Sequence, residues 1–202
     1  METNMNRGRF RGCIPSYEDA NLCAAVMDTN RGQWQRPDIA SKLITRPNMT
    51  VVDLGAGTGY FAALFSDLLP EGKIYALDPE KPMISWLEER KKRDSLDNVS
   101  ICLIGKEDPG LDQLHCDVDL LFVGYTYFHF GNPIKYFHEK VYPFIQEKTV
   151  VAIADMAPTF GQGRHTVSEQ QVIAEMTEAC FRLQDEPTTL NEQYLINFKK
   201  IS

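Results

Sequence analysis

The sequence predicts an α/β domain in which helices cover both faces of a mostly parallel sheet. Short β-rich apolar runs alternate with longer stretches of helical period from residue 49 onward. The first run is almost wholly apolar, as expected of a strand buried on both faces, and it leads into a glycine-rich turn. With 202 residues, of which 43% are hydrophobic and 24% charged, the chain fits one domain, predicted to span residues 37–202.

Seven apolar runs are predicted as strands of this doubly wound, Rossmann-like sheet. They are residues 49–54, 73–77, 98–104, 118–124, 149–155, 181–185 and 193–198. Residues 58–69 are predicted as an amphipathic helix because apolar residues recur at helical spacing. The stripe comprises Phe61, Leu64, Phe65 and Leu68.

Three further helices are predicted, near residues 81–93, 133–140 and after residue 168. The charged block 88–93 is interpreted as a solvated helix face, because acids and bases at i,i+3 and i,i+4 pair along a helix. Ser168 with Gln171 three positions later forms a capping-box pattern, which predicts the start of the last helix. The predicted apolar stripe of that helix is Val172, Ile173, Met176 and Cys180.

Composition excludes several classes of protein. The net charge of −7 gives no general attraction to nucleic acid or to an anionic membrane. The apolar stretch 22–27 is too short for a signal peptide core, and no window approaches the roughly 20 apolar residues of a membrane span. Five cysteines without C-x-x-C spacing and four histidines without H-x-x-x-H spacing predict neither disulfides nor a metal site. We therefore expect a soluble cytoplasmic protein.

The most specific feature is the segment 51–60, VVDLGAGTGY, in which a predicted strand enters a glycine turn and then a helix. Such a turn lies at the switch point of a parallel sheet, where ligands bind. A dinucleotide site needs G-x-G-x-x-G, but the third glycine position is Tyr60. Asp53, two positions before Gly55, would repel a pyrophosphate and attract an ammonium or sulfonium group. The sequence therefore disfavours a nicotinamide enzyme.

A second carboxylate, Asp78, ends the second predicted strand, 23 positions after Gly55. A carboxylate at that place accepts hydrogen bonds from both ribose hydroxyls. S-adenosylmethionine offers a ribose to Asp78, an amino acid group to the turn and Asp53, and a cationic sulfur suited to an aromatic surround. The alternative is a glycine turn that only tightens the packing.

Residues 51–62 resemble the first motif of class I S-adenosylmethionine-dependent methyltransferases, and residues 74–79, IYALDP, resemble the second. The likeness runs from about residue 33 to the C-terminus. It is strongest to small methyltransferases of the ubiquinone and menaquinone biosynthesis group, including RGQWQRP at 31–37. This resemblance implies a seven-stranded sheet whose last strand is antiparallel.

The resemblance also implies which residues hold the cofactor. The residues implied for the methionine end are Asp53, Gly55, Ala56, Gly57, Thr58 and Gly59. Asp78 is implied for the ribose, and Pro79 and Met83 for the edge of the adenine. The loop 103–111 is implied to contact the adenine amine through Glu107 and Asp108.

Methyl transfer needs alignment of nucleophile, methyl and sulfur more than a general base, and alignment alone supplies roughly 7–11 kcal/mol. The end of the fourth predicted strand should border the methyl group. Tyr127 and His129 are the catalytic candidates there: His129 to take a proton, Tyr127 to orient the acceptor or face the sulfonium. The alternative is that this aromatic cluster forms only a pocket wall or core.

The chain departs from the resembled family where chemistry is expected. The family usually has an acid at the place of Tyr125 and a histidine at that of Phe128, so a changed acceptor or lost activity is predicted as an alternative. Cys180 replaces a helix-ending glycine, and residues 146–148 replace a Pro-Gly-Gly turn. A non-catalytic S-adenosylmethionine-binding protein or partner subunit is therefore the rival hypothesis.

Further residues are candidates for the acceptor side. Asp155, Arg164 and His165 either line an acceptor pocket or hold loops in place. Residues 1–36, with Trp34 and Gln35, are predicted to fold over the cofactor as a lid. A small-molecule acceptor is expected, since the fourth strand is not followed by the Asp/Asn-Pro-Pro-aromatic motif of nucleic-acid methyltransferases. The Asp-Asn pair of magnesium-dependent catechol-type enzymes is also missing after the fifth strand.

Overall fold

The computed structural model describes residues 37–158, 166–190 and 192–201. Within these residues, one sheet of eight strands forms the centre of the domain. The strands are β1 Thr50–Leu54, β2 Lys73–Asp78, β3 Val99–Leu103, β4 Leu120–Gly124, β5 Val150–Met156, β6 Phe181–Leu183, β7 Thr188–Leu190 and β8 Gln193–Lys200.

Helices connect the strands in the predicted order. The α-helices are α1 Asp38–Leu43, α2 Tyr60–Leu68, α3 Lys81–Asp94, α4 Pro133–Tyr136 and α5 Glu169–Glu178. Short 3₁₀ turns occupy Leu111–Gln113, Tyr127–His129 and Tyr142–Phe144, and a π-helix occupies Phe137–Val141. The helix predicted over 133–140 is thus one short α-helix that widens into a π-helix.

The strand order is β3-β2-β1-β4-β5-β8-β6, and β7 pairs with β8. The first five strands are parallel, whereas β8 is antiparallel to β5 and β6. The chain reverses its direction of travel across the sheet between β1 and β4, which places a topological switch point beside β1. The predicted fold class, including the antiparallel last strand, is confirmed.

Each face of the sheet has its own apolar core. On one face, α2 and α3 contribute Phe61, Phe65 and Leu87, which pack near Phe122 of β4. On the other face, α5 and the π-helix pack over strand residues such as Ile153. Both faces are therefore covered, which explains why the central strands read as continuous apolar runs rather than alternating ones.

The apolar stripe of α2 differs from the prediction. Leu68 is 37% exposed, whereas Leu69, which follows the helix, is fully buried. Ala62 is buried beside Phe61 and Phe65. The buried face of α2 is therefore shifted by about one residue from the predicted stripe. Leu68 lies at the edge of this face, whereas the small Ala62 is buried within it.

A short strand lies between the two closing strands that the sequence predicts. Residues 188–190 form β7, which pairs with the first residues of β8. The β-branched Thr188 and Thr189 favour this conformation. The neighbouring Pro187 and Asn191 gave a turn signal that obscured it. A three-residue strand shows too little alternation to be detected by period.

The last helix begins and ends as its sequence indicates. The Ser168 hydroxyl accepts a hydrogen bond from the Gln171 backbone N–H at 3.2 Å, so the predicted N-cap is confirmed. The helix is followed by Cys180 in the left-handed region, at φ 69°. Cys180 therefore occupies the position at which helices commonly place glycine.

We expect Cys180→Gly to stabilise the fold by about 1 kcal/mol. The left-handed conformation costs a non-glycine residue roughly 1–2 kcal/mol, and the greater freedom of glycine in the unfolded chain offsets part of the gain. Urea unfolding of the variant, beside Cys180→Ala, measures the effect. Cys180→Ala retains the conformational cost, so equal stability of the two variants would contradict the explanation.

Candidate active site

The glycine turn follows β1 and is held against β2. Gly55, Gly57 and Gly59 all have positive φ, at 79°, 56° and 82°. The backbone N–H groups of Gly55 and Ala56 donate to the Leu77 carbonyl at 2.8 and 3.0 Å. Three left-handed residues within five positions form a curved backbone that side chains with a Cβ would strain. The predicted turn geometry is thus observed.

Two of these glycines are also required by the protein's own packing. A Cβ on Gly55 would lie 2.4 Å from Thr126 Cγ2, in the turn after β4. A Cβ on Gly59 would lie 2.5 Å from Leu87 Cδ2 of α3. At these two positions the close approach is to protein side chains, as the packing alternative anticipated. The glycine turn is therefore closely packed between α3 and the end of β4.

We expect Gly55→Ala to destabilise the protein by about 2–5 kcal/mol. The left-handed φ costs roughly 1–2 kcal/mol, and overpacking against Thr126 adds roughly 1–3 kcal/mol. The double variant Gly55→Ala/Thr126→Ala removes the clash. It should recover the stability lost to overpacking but not the stability lost to the left-handed backbone. Urea unfolding of the two single variants and the double variant separates them. If the destabilisation of the double variant equals the sum of those of the two single variants, Thr126 does not limit the space at Gly55.

Asp78 connects the turn to the tip of β2. Its side chain is 5% exposed. Oδ2 accepts the Gly57 backbone N–H at 2.8 Å, and Oδ1 accepts the Glu80 backbone N–H at 2.9 Å. A carboxylate has about four acceptor sites, so two backbone donors fix its orientation without exhausting its capacity. The carboxylate predicted to bind a ribose is therefore preorganised.

Asp53 lies at the same end of the sheet as Asp78. It is buried, 2% exposed, and its β1 position is paired with Ala76 of β2 and Phe122 of β4. Asp78 is two residues beyond Ala76 on the adjacent strand, which places the two Cα atoms roughly 8 Å apart. The predicted pair of carboxylates thus flanks the turn within the span of one nucleoside-sized ligand.

The residues predicted for the adenine lie beside Asp78. Pro79 is half-buried, and Met83 is buried in the first turn of α3. The loop carrying Glu107 and Asp108 starts next to Asp78, since the Ile104 N–H donates to the Asp78 carbonyl at 3.2 Å. Both acids in that loop are exposed.

Asp108 already has structural partners. Its carboxylate accepts the Gly110 N–H at 2.9 Å and pairs with Lys140 Nζ at 2.9 Å. The Gly110 hydrogen bond, followed by Lys140, holds the pKa of Asp108 below its usual range. Contact of Asp108 or Glu107 with an adenine amine stays a prediction.

Tyr125, at the end of β4, is held in an unusual backbone conformation. Its φ is 54°, a region that bulky residues rarely adopt. Its N–H donates to the Ala154 carbonyl at 2.7 Å, and its hydroxyl donates to Gln193 Oε1 at 2.5 Å. Its ring stacks on Phe61 with centroids 6.1 Å apart. Where the resembled family carries an acid, this chain has a buried aromatic residue on a strained backbone, a feature found often at functional sites.

The two catalytic candidates lie in different environments. Tyr127 is 1% exposed, and its hydroxyl donates to Glu175 Oε2 of α5 at 3.0 Å. Burial, reinforced by Glu175, raises the pKa of Tyr127 far above its usual value, so its hydroxyl stays protonated. His129 is exposed and contacts Phe128, with ring centroids 4.0 Å apart. Tyr127 is therefore a core residue and His129 a surface residue, and their catalytic roles stay predictions.

Asp155 ends β5 as a deeply buried carboxyl group. It is 2% exposed, and Oδ1 accepts the Met156 N–H at 2.8 Å. Oδ2 has no hydrogen-bond partner within the described residues. Burial raises the pKa of Asp155 to about 7, with the Met156 N–H opposing the shift. The strand pattern predicts the position of this acid but not its burial, which depends on packing between distant segments.

Several other predicted features lie outside the described residues. These are the lid segment 1–36 with Trp34 and Gln35, and the acceptor-side pair Arg164 and His165. Across the part of the chain that is described, no group of three or more His, Cys, Asp or Glu side chains is arranged to hold a metal ion. No described helix is long and apolar enough to cross a membrane.

The fold of this domain is similar to that of known proteins. Residues 45–199 match the family model described as a methyltransferase domain. The chain belongs to this family. Its membership confirms the predicted methyltransferase class. S-adenosylmethionine is the cofactor predicted from the sequence, and it is bound in solved neighbours of the same fold. The narrower placement in the ubiquinone and menaquinone group stays a prediction.

Individual relatives are distant. A solved S-adenosylmethionine-dependent methyltransferase from Aquifex aeolicus superimposes with a TM-score of 0.79 at 20% identity, covering 91% of this methyltransferase and 99% of that chain. The O-methyltransferase NcsB1 of neocarzinostatin biosynthesis, solved with S-adenosylmethionine and 2-hydroxy-5-methyl naphthoic acid, gives 0.70 at 14% identity, covering 91% and 59%. A protein-L-isoaspartate O-methyltransferase of Aeropyrum pernix is 28% identical over 105 residues, which is 52% of this chain and 40% of that relative.

Proposed function

We propose that this methyltransferase acts on a small-molecule acceptor bound beside the carboxyl ends of β4 and β5. The supporting observation is the hydrogen bond from the Gly57 N–H to Asp78, which joins the glycine turn to the acidic tip of β2. This contact supports placing the methionine and ribose sites together, on one side of the switch point. The strands across the switch point, β4 and β5, are left to border the acceptor.

The described residues fit the cofactor in its expected orientation. The glycine turn and Asp53 would hold the methionine end, Asp78 the ribose, and Pro79 with Met83 the adenine edge. Bound there, the cofactor supplies a methyl group on a positively charged sulfur. Asp53 would place negative charge near the methionine end, and the backbone donors on Asp78 keep its carboxylate oriented before the ribose arrives.

The acceptor side is formed by side chains at the ends of β4 and β5. Tyr125 fixes the turn after β4 through Gln193, and Tyr127 connects that turn to α5 through Glu175. We assign Tyr127 a positioning role, because its hydroxyl is directed at Glu175. His129 is exposed at the surface end of the same turn, and we retain it as the candidate that takes a proton from the acceptor. The net charge of −7 favours a small acceptor over a nucleic acid.

A second candidate function is a non-catalytic S-adenosylmethionine-binding protein. The observation that favours it is Tyr125, whose hydroxyl is committed to Gln193 at the place where the resembled family carries an acid. Such a protein would keep the glycine turn and Asp78 but lack a group that handles the acceptor.

Release of S-adenosylhomocysteine from S-adenosylmethionine tests the proposal, with panels of phenols, amines and carboxylic acids as acceptors. Turnover that requires an acceptor and is lost in Asp78→Asn supports it. Tight binding of S-adenosylhomocysteine without turnover of any small molecule would favour the second candidate. Turnover of an isoaspartyl peptide but of no small molecule would overturn the small-molecule assignment.

A further inference from the structure

Asp155 occupies the acceptor side of the sheet edge. Asp53 is paired with Phe122, and Phe122 is paired with Ala152, so these residues of β1, β4 and β5 lie in one row. Asp155 is three residues beyond Ala152, one step past the level of Gly55. Two strand spacings, about 10 Å, separate it from β1. Asp155 therefore lies at the same end of the sheet as the glycine turn, on the side of β1 away from Asp78.

A buried aromatic side chain lies beside Asp155. Its cross-strand partner on β8 is Tyr194, which is 1% exposed and donates its hydroxyl to the Val167 carbonyl at 2.9 Å. Burial is the largest cause that raises the pKa of Tyr194, and the negative charges of Asp155, Glu169 and Glu175 add to it. The hydroxyl of Tyr194 therefore stays neutral.

The titratable groups on this face are acids and phenols. They are Tyr127 in the turn after β4, Tyr194 on β8, and Glu169 and Glu175 on α5. Within the described residues no cation contributes to the pKa of Asp155, which is set by burial and the Met156 N–H. A buried carboxyl with an unused oxygen and no cationic partner is costly to keep as a structural element alone.

We propose that Asp155 contacts the acceptor through Oδ2 and accepts its proton during methyl transfer, and that the acceptor carries a phenolic or enolic hydroxyl. This inference rests on the proposed function. A flat hydroxylated ring suits a position beside the buried ring of Tyr194, whereas an ammonium group would bring an additional charge out of water. A carboxyl that titrates near neutrality is also a stronger base than an ordinary aspartate, which favours deprotonation of a weakly acidic hydroxyl.

The step balances without a further reactant. The acceptor oxygen forms a bond to the methyl carbon as the bond from that carbon to sulfur breaks, and sulfur keeps the bonding electron pair. The hydroxyl proton passes to Asp155 Oδ2. The products are a methyl ether and a neutral thioether, and Asp155 releases the proton to solvent before the next turnover.

Asp155→Asn tests the inference, with Asp117→Asn as the matched control because Asp117 is exposed and pairs with Lys148. Phenols and hydroxylated naphthoic acids serve as acceptors, with primary amines as the comparison. We expect kcat/KM of the wild-type protein for a phenol to rise as pH increases through about 7. In Asp155→Asn it should be about a hundredfold lower and lose that rise. Calorimetric affinity for S-adenosylhomocysteine should remain within twofold of the wild type.

A readout independent of turnover is the infrared carbonyl band of a protonated carboxyl group. Near pH 6 the wild-type protein should show this band, Asp155→Asn should lack it, and binding of a phenol beside S-adenosylhomocysteine should shift it. A band that survives Asp155→Asn, a band insensitive to phenols, or a wild-type pH profile in the variant would overturn the inference. If the wild-type protein does not bind S-adenosylhomocysteine, the proposed function itself is refuted.

Discussion

Asp78→Asn should lower the affinity for S-adenosylmethionine about a hundredfold. The ionised carboxylate is expected to accept both ribose hydroxyls, and hydrogen bonds to a charged group contribute roughly 1.5–3 kcal/mol each. Asparagine keeps one oxygen acceptor but loses the charge and the second acceptor. A net loss of about 3 kcal/mol corresponds to a factor of about one hundred in the dissociation constant. Calorimetry with S-adenosylmethionine and S-adenosylhomocysteine measures it.

The same substitution should also loosen the glycine turn. Asp78 accepts the Gly57 and Glu80 N–H groups, and one of these bonds is weakened or lost in asparagine. Urea unfolding therefore accompanies the titration, so that a loss of affinity is not confused with a loss of fold. Asp117→Asn is the control for charge, because Asp117 is an exposed partner of Lys148. Equal affinity of Asp78→Asn and wild type would remove Asp78 from the site.

Asp155→Asn should stabilise the protein at alkaline pH and not at acidic pH. Burial raises the pKa of Asp155 in the folded state to about 7, above the ordinary value of about 3.9 for an unfolded chain. At pH below both pKa values, Asp155 is protonated in the folded and in the unfolded chain, so its ionisation does not lower the free energy of unfolding. As pH rises from about 4 to 7, the unfolded chain ionises while the folded state does not, so stability is lost. A displacement of about three pKa units corresponds to about 4 kcal/mol.

The measurement is the free energy of unfolding in urea between pH 4.5 and 8. The stability of Asp155→Asn relative to wild type should increase across this range by up to about 4 kcal/mol and level off above pH 7. Asp117→Asn should follow the wild-type curve. A constant difference between Asp155→Asn and wild type would show that Asp155 titrates alike in folded and unfolded chains.

The features that the sequence predicted well are local. The apolar run before Gly55, the glycine spacing and the acid ending β2 define a strand, a turn and a strand tip from consecutive residues. The capping pair at Ser168 is equally local, and it forms as expected. The alternation of short apolar runs with segments of helical period then suffices to predict the α/β class.

The features that the sequence did not predict depend on contacts between distant segments. Gly55 is constrained by Thr126, which lies 71 positions away in sequence. Tyr127 and His129 both follow the end of the fourth strand, yet in the 3₁₀ turn Tyr127 is buried in the core and His129 is exposed. The burial of Asp155 needs β8 and α5 in place. These three outcomes follow from packing that no local pattern encodes.

The central claim is that the glycine turn and Asp78 form a site for an adenosyl amino acid rather than for a dinucleotide. Isothermal titration calorimetry of the wild-type protein with S-adenosylhomocysteine, S-adenosylmethionine and NADH tests it most directly. We predict that both sulfur nucleosides bind with one molecule per chain and that NADH gives no binding heat. Binding of NADH with comparable affinity, or no binding of either sulfur nucleoside, would contradict the claim.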